Sequence, residues 1–265
     1  GGAVEVERAF TGRANLFATR AGVFAPDVAA VTRVNAVDEA ITLATLPALR
    51  AVVAGEMVAT VKIIPFAVSE APLSRALAAG RGALVVKPYR ARPVAVVSTL
   101  LPGLKASVVD KTLRALAERL APSGSTLALD LRVAHEPGAL ARALAEARAG
   151  AETIIVFGAS AITDRRDVIP AALEQAGGRI AHFGMPVDPG NLLMLGRLDE
   201  APVIGAPGCA RSPRENGFDW VLQRLLADIP VTGDDIRAMG VGGLLMEIVS
   251  RPQPRAGGAS EDEHG

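Results

Sequence analysis

The segment from Gly158 to Pro170 carries the residue types best suited to binding an anion. It reads GASAITDRRDVIP and directly follows an apolar run that is typical of a buried strand. Its small residues, beginning with Gly158, let backbone N–H groups approach a phosphate or another oxyanion. The hydroxyls of Ser160 and Thr163 can donate to the same group. The segment therefore predicts an anion cradle, although an ordinary strand-to-helix turn has a similar composition.

The charged end of this segment has two interpretations for each residue type. Arg165 and Arg166 clamp a phosphate in one interpretation and are solvated turn residues in the other. Asp167 either holds Mg²⁺ beside a phosphate or caps the helix that follows. We assign Arg166 to ligand binding and Asp167 to a metal-holding, catalytic role.

Two further loops follow predicted strands and contain rigid turns. Residues 184–191 read GMPVDPGN and residues 206–213 read APGCARSP. Prolines and glycines in such turns hold backbone donors in place for a polar ligand, and tight turns that bind nothing have the same composition. The residues of these loops that we assign to ligand binding are Pro189, Gly190, Asn191, Pro207 and Gly208.

The pattern from Pro93 onward supplies a scaffold that brings these loops together. Apolar runs alternate with amphipathic segments, and the connections have the length used in parallel sheets. Strands are predicted at 94–98, 126–133, 153–157, 179–183, 192–195 and 203–204, and helices at 107–120, 137–148 and 213–227. This order predicts an α/β fold with a doubly wound, mostly parallel sheet. Because ligands bind at the carboxyl ends of such strands, we expect Ser160, Arg166 and Asp167 to line one pocket with Gly190 and Gly208.

The residues before this scaffold predict a smaller α+β unit at 1–90. Val31, Val34, Val37 and Ile41 recur at helical spacing after Asp27, which can cap a helix running towards residues 42–46. Residues 57–64 and 84–86 are β-branched and predict strands. We place the main α/β domain at 91–250 and assign 251–265, which has no apolar periodicity, to a disordered tail or linker.

Composition narrows the class of protein. Half of the 265 residues are apolar, and 28 Lys and Arg balance 28 Asp and Glu, so a folded domain is expected and no long-range field draws in nucleic acid or an anionic membrane. The sequence has no apolar run long enough to cross a membrane and starts without a signal-peptide pattern, which predicts a cytoplasmic protein. The single cysteine, Cys209, fits a reducing compartment.

Other candidate sites are weaker. His135 and His182 lie far apart in the sequence, so a structural zinc site is not expected. Cys209 has no sequence-local base that would make it a nucleophile. Residues 240–243 lack the GxGxxG spacing of a dinucleotide site and occur late in the chain.

The three loops resemble those of the molybdopterin-binding family of molybdenum-cofactor biosynthesis, over about 93–250. The sharpest match is RRDVIP at 165–170, similar to the family's glycine-rich loop ending in Arg-Asp-Val-Thr-Pro. The loops at 185–191 and 207–208 occur in the order of the family's Pro-Gly-Lys-Pro and Leu-Pro-Gly-Asn-Pro loops. Residues 1–250 are most similar to a bacterial subgroup fused upstream of a cytidylyltransferase-like domain, on the phrases NAVDEAITLATLP at 35–47 and VATVKIIPF at 58–66.

This resemblance implies a ligand and a set of roles. The ligand is molybdopterin or its nucleotide form, with Mg²⁺ and ATP if the chain transfers an adenylyl group. Asp167 takes the position of the family's important aspartate, and Glu136 is the best-matched second acidic residue. Two departures weaken catalysis more than binding: Ala159 replaces the family's second glycine, and Asn191 lies nearest to the insertase lysine.

Three functions follow from the resemblance. The chain is an enzyme of adenylyl transfer or metal insertion, a binding module that serves a fused or separate nucleotidyltransferase, or a scaffolding protein without pterin affinity. A homo-oligomer is also expected. The apolar residues 240–249 and the strand at 58–64 need covering. We expect the N-terminal unit and the segment 240–249 to pack against the main sheet, with the oligomer covering the apolar surface that remains.

Overall fold

A computed structural model describes residues 2–245. The N-terminal part contains two antiparallel sheets and two helices. Its elements are β1 (Val4–Val6), β2 (Arg13–Ala18), β3 (Gly22–Phe24), α1 (Val28–Asn35), β4 (Ile41–Thr45), β5 (Arg50–Val52), β6 (Met57–Ile63), α2 (Glu70–Gly80) and β7 (Val86–Pro88). The strand orders are β1-β2-β6-β4 and β5-β3-β7. This is the α+β composition that the first ninety residues predict.

The helix predicted after Asp27 is shorter than its apolar spacing suggests. Asp27 caps α1 by accepting from the backbone N–H of Ala30, as predicted, but α1 ends at Asn35. The Asn35 side chain exchanges two hydrogen bonds with the backbone of Leu43, which fixes a turn and starts β4 at Ile41. Ile41 is therefore a strand residue, and the helix predicted through it is wrong.

The predicted strand at 58–64 is covered by residues of the N-terminal part itself. Val58 packs in a core with Phe24 and Val86, and Ala59 packs in a second core with Val34 and Leu43. Val58 and Ala59 are therefore covered within the N-terminal part, which meets the main domain elsewhere: the N–H of Arg90 donates to the carbonyl of Leu226. The N-terminal part has its own two cores, because both faces of β6 are covered by its own strands and helices.

The main sheet begins after Arg92. Its elements are β8 (Pro93–Leu100), α3 (Ala106–Leu120), β9 (Thr126–Ala134), α4 (Pro137–Gly150), β10 (Thr153–Phe157), α5 (Val168–Gln175), β11 (Arg179–Phe183), β12 (Met194–Leu198), β13 (Ala201–Ala206), α6 (Gly217–Leu226) and α7 (Gly233–Arg237). The six strands take the order β11-β12-β13-β10-β8-β9. Three neighbouring pairs are parallel and those made by β12 are antiparallel, which confirms the mostly parallel α/β sheet.

Continuous apolar runs form the centre of this sheet because both of its faces are covered. Every residue of β10 is buried, and alternate residues of β8 enter opposite cores. Val94, Val96 and Leu116 lie in one core with α6, whereas Ala95, Val97 and Leu144 lie in the other with α4 and α5. These strands were predicted at their observed positions because they have no exposed face to interrupt the apolar run.

The last long helix starts later than its composition predicts. Asn216 accepts from the backbone N–H of Phe218, and the carboxylate of Asp219 accepts from the N–H of Asn216, so a capping box begins α6 at Gly217 and not at Pro213. The segment at 240–245 reaches the main domain: the N–H of Leu245 donates to the carbonyl of Asp188. Residues 246–249 of the predicted apolar segment lie outside the described residues, as does 251–265.

No helix between residues 2 and 245 combines the length and the apolar content needed to cross a membrane.

Candidate functional site

The carboxyl edge of the main sheet collects the loops in which the sequence places its chemistry. β8, β9, β10 and β13 run in one direction, and β11 runs the same way because two antiparallel pairs separate it from β13. The loops after β10, β11 and β13 therefore open at one edge. Arg211 bridges two of them by donating to the carbonyl of Gly158 at 2.8 Å, and the N–H of Gly217 donates to the carbonyl of Pro189 at 2.9 Å.

A cavity of about 700 Å³ lies at this edge beside the first two turns of α3. We call it the cationic cavity. It is lined by Ser107, Val108, Lys111, Thr112, Arg114, Gly208, Arg211, Ser212 and Pro213. Gly208 is the one residue of the predicted pocket that lines it in the described part of the chain, and the other predicted residues lie on the loops after β10 and β11.

Three cations give the cavity its charge. Lys111 and Arg114 are exposed, and neither has an ion pair within residues 2–245. Arg211 is partly buried, stacks over the Phe157 ring at 5.2 Å, and donates to the Thr112 hydroxyl at 3.1 Å. Its burial lowers the pKa of the guanidinium below its usual value. The N-terminus of α3 adds a partial positive charge at the same place, so the cavity is suited to an anion.

The wall of the cavity formed by residues 210–214 is held by a buried ion pair. Arg119 Nε donates to the Asp219 carboxylate at 2.5 Å, and both side chains are only 9% exposed. The same guanidinium donates to the backbone carbonyls of Ala210, Ser212 and Arg214. One buried cation thereby ties α3, the loop after β13 and α6 together, and it stays clear of the cavity.

The charged end of the loop at 158–167 is closed by its own residues. Arg166 pairs with Asp164 at 2.9 Å, and this guanidinium lowers the pKa of the Asp164 carboxyl to about 2. Asp167 accepts from the backbone N–H groups of Thr163 and Asp164, which lowers its carboxyl pKa. The Thr163 hydroxyl donates to the same oxygen at 3.2 Å.

Asp167 therefore takes neither of its two sequence interpretations in full. It occupies the N-cap position of α5, but its side chain accepts no hydrogen bond from the helix. Its carboxylate closes the preceding turn through one oxygen. Glu136, the second predicted acidic residue, occupies the N-cap position of α4 with an exposed side chain that likewise makes no cap hydrogen bond.

The described residues do not fit a Mg²⁺ ion held by several protein ligands. Residues 2–245 contain no group of three His, Cys, Asp or Glu side chains placed to hold a metal. Asp167 would contribute a single carboxylate that already accepts three hydrogen bonds from its own turn. A ligand at this edge can meet the cations of the cavity and also Arg165, which is exposed and has no ion pair within residues 2–245.

The loop after β11 is shaped by close packing. The Asp188–Pro189 peptide bond is cis, and Gly190 has φ +141°. A Cβ on Gly190 would come within 2.7 Å of the Gly217 nitrogen, so the glycine is required by contact with α6.

The other predicted residues of the loops after β11 and β13 use their backbone in local turns. Asn191 is exposed, and its carbonyl accepts from the N–H of Met185. The carbonyl of Pro207 accepts from the N–H of Ala210, while Gly208 has open space where a side chain would lie.

The structure joins a histidine to Ser160. His135 Nε2 lies 2.9 Å from Ser160 Oγ, and its Nδ1 lies 2.8 Å from the hydroxyl of Thr99. Sequence spacing makes His135 a candidate for metal binding alone, and it does not single out Thr99. The missed signal is position: Thr99, His135 and Ser160 lie at the ends of three neighbouring strands.

The structure is that of a doubly wound α/β protein with a cationic cavity at the carboxyl edge of its sheet. The sequence profile of a family described as "Probable molybdopterin binding domain" matches residues 94–227, which are 134 of the 265 residues. The chain belongs to this family of molybdopterin-binding domains. The match ends one residue after α6 and includes every residue that lines the cationic cavity.

Similar solved structures are distant. The molybdopterin biosynthesis moea protein from Pyrococcus horikosii is 15% identical, with 88% of this chain and 73% of that chain covered and a TM-score of 0.39. The CinA protein of unknown function from Thermoplasma acidophilum is 16% identical, with 53% of this chain and 99% of that chain covered and a TM-score of 0.37. No curated protein matches the sequence significantly.

Proposed function

We propose that this chain binds molybdopterin and holds the phosphate of the ligand in the cationic cavity. The observation that carries the proposal is the pair Lys111 and Arg114, which face the cavity without a carboxylate partner among the described residues. A phosphate monoester supplies the missing negative charge, and charged hydrogen bonds to it are stronger than neutral ones. The N-terminus of α3 favours the same group.

The apolar side of the ligand has a surface beside the cavity. Leu101 and Leu104 lie on the loop that enters α3 and are 51% and 40% exposed, and Val108 on the cavity wall is 41% exposed. A flat pterin ring that covers these side chains removes apolar area from water while its phosphate meets the cations. The proposal therefore uses both kinds of surface at one edge of the sheet.

Binding without catalysis is the function that the geometry supports best. Mg²⁺-dependent adenylyl transfer from ATP needs metal ligands and cations placed on a triphosphate. Asp167 and Arg166, the predicted residues for these roles, are engaged within their own turn, and Glu136 stands alone. Metal insertion, a nucleotidyltransferase partner, a homo-oligomer and a cytoplasmic location stay predictions from the sequence.

Anaerobic calorimetric titration with molybdopterin tests this function. We expect saturable binding that weakens as salt is raised, because salt screens the exposed Lys111 and Arg114. A matched control is the double variant Lys87→Ala/Arg75→Ala, which removes two exposed cations from the N-terminal part and should bind normally. Absence of binding by the folded wild-type protein overturns the proposal. Release of pyrophosphate from ATP in the presence of molybdopterin and Mg²⁺ would show adenylyl transfer and replace the binding-only function.

A further inference from the structure

A chain of hydrogen bonds crosses the carboxyl edge through three strand ends. The N–H of Ala159 donates to Thr99 Oγ1 at 2.9 Å, Thr99 Oγ1 contacts His135 Nδ1 at 2.8 Å, and His135 Nε2 contacts Ser160 Oγ at 2.9 Å. We call these four residues the relay. The direction in which each proton points decides whether Ser160 donates to a ligand or attacks one.

Thr99 fixes the direction of the relay. Its side chain is 1% exposed, so water is not available to satisfy its hydroxyl. Its oxygen accepts from Ala159, and its own hydrogen needs an acceptor. Within residues 2–245 the one acceptor within hydrogen-bond distance is His135 Nδ1. Because buried hydroxyl hydrogens are rarely left without a partner, Thr99 donates to Nδ1.

The tautomer of His135 follows from this donation. A neutral imidazole has one N–H donor and one acceptor nitrogen. If Nδ1 accepts from Thr99, the proton is on Nε2, and Nε2–H donates to Ser160 Oγ. The hydroxyl hydrogen of Ser160 is then directed away from the ring. Ser160 is exposed at the anion-binding edge, so this hydrogen is free for a ligand.

We propose that Thr99 and His135 are positioning residues that make Ser160 a hydrogen-bond donor to an acceptor oxygen of the bound ligand. The identity of the ligand as a molybdopterin rests on the proposed function, but the direction of the relay does not. Ser160 extends the anion site from the cationic cavity to the loop after β10, and Arg211 joins the two by its hydrogen bond to Gly158.

The hydrogen on His135 Nε2 also excludes a nucleophilic role for Ser160. A serine attacks a carbonyl or phosphoryl centre when a neighbouring base takes its proton, which requires a free lone pair on the facing nitrogen. In the relay that nitrogen, Nε2, already carries a hydrogen. The contacts among Thr99, His135 and Ser160 have the distances of a hydrolase triad. The proton direction is opposite, because the ring donates to Ser160 instead of accepting its proton.

Nitrogen-15 NMR of the ligand-free protein tests the relay without any ligand. The His135 signals are assigned by their loss in His135→Gln. We expect a protonated Nε2 and an unprotonated Nδ1 in the neutral imidazole, and we expect Thr99→Val to remove the preference for this tautomer. A protonated Nδ1 with an unprotonated Nε2 in the wild-type protein would overturn the proposal, whether or not molybdopterin binds.

Binding variants test the consequence for the ligand, with anaerobic molybdopterin as the probe and circular dichroism as the check on folding. Ser160→Ala and His135→Leu should each weaken binding roughly 10- to 100-fold, the loss of one hydrogen bond to a charged group. His135→Gln should stay within about fivefold of wild type, since its carbonyl can accept from Thr99 while its amide donates to Ser160.

Two outcomes separate this proposal from the proposed function. If wild type binds and Ser160→Ala binds equally well, the donor role of Ser160 is wrong and the cationic cavity stands. If wild type does not bind at all, the proposed function fails and the NMR result still decides the relay. Covalent labelling of Ser160 by a fluorophosphonate in wild type, lost in His135→Gln, would show a general base and contradict the relay.

Discussion

Arg166 and Lys111 stand at the same edge of the sheet, but among the described residues only Arg166 has a carboxylate partner. Asp164 pairs with Arg166 two positions away, and Asp167 is occupied by the N–H groups of its own turn. On the other side of the edge, Lys111 faces the cationic cavity without an ion pair within residues 2–245. A cation therefore remains available to a ligand where the nearby carboxylates are absent or are paired with other residues.

The cavity side can stay open because its wall is held elsewhere. Arg119 satisfies the Asp219 carboxylate and three backbone carbonyls beneath the surface, so Lys111 and Arg114 are not needed to fix the loop after β13. In the loop after β10, by contrast, the side chains of Asp164, Arg166 and Asp167 are bonded within their own turn. At the cavity, Arg119 holds the wall and leaves Lys111 and Arg114 available for a ligand. In the loop after β10, Arg166 is paired within its own turn.

The largest expected effect breaks this separation. Arg119→Met leaves Asp219 buried without its cation and should lower the free energy of unfolding by about 3–5 kcal/mol. Urea unfolding measures it. Arg114→Met, an exposed arginine on the same helix, is the matched control and should change stability by less than about 0.5 kcal/mol. Equal losses in the two variants would show that Arg114 also holds the wall.

A smaller effect sharpens the comparison from the other side. Arg166→Ala should change molybdopterin affinity by no more than about fivefold, because its charge is already offset by Asp164. Asp164→Asn frees that charge and should tighten binding by a few-fold at most, measured by anaerobic titration.

The matched control for the Asp164 variant is Asp130→Asn. Asp130 also pairs with an arginine two residues away, but it lies within β9. This variant should leave molybdopterin affinity unchanged. A loss of more than about tenfold in Arg166→Ala would instead restore the phosphate clamp that the sequence predicts.

Much of the scaffold could be predicted from the sequence because buried parallel strands are continuous apolar runs. Residues 153–157 form such a strand with the predicted bounds, and the family match covers the predicted βαβαβ core. Residues 179–183 also form a strand with the predicted bounds, although it is a partly exposed antiparallel strand at the edge of the sheet. The strand predicted at 192–195 lies instead at Met194–Leu198. Two other errors occur where a local hydrogen bond overrides periodicity. Asn35 ends α1 by bonding Leu43, and Asn216 delays α6 by capping it.

The site was less predictable because its contacts join residues far apart in the sequence. His135 reaches Ser160 across 25 residues and Thr99 across 36, and Arg211 reaches Gly158 across 53. Strand order places these residues together, and spacing along the chain does not show it. The ion pair of Arg166 could be predicted more easily, because Asp164 precedes it by only two positions.

A double-mutant cycle between the protein and its ligand tests most directly whether the phosphate lies in the cationic cavity. Molybdopterin and its dephosphorylated form are titrated anaerobically into wild type and into Lys111→Ala/Arg114→Ala. For molybdopterin we predict a loss of roughly 10- to 100-fold in the variant, with unchanged thermal stability. For the dephosphorylated ligand, wild type and variant should bind with the same affinity. An equal loss for both ligands would mean that Lys111 and Arg114 do not meet the phosphate, and the central claim would be wrong.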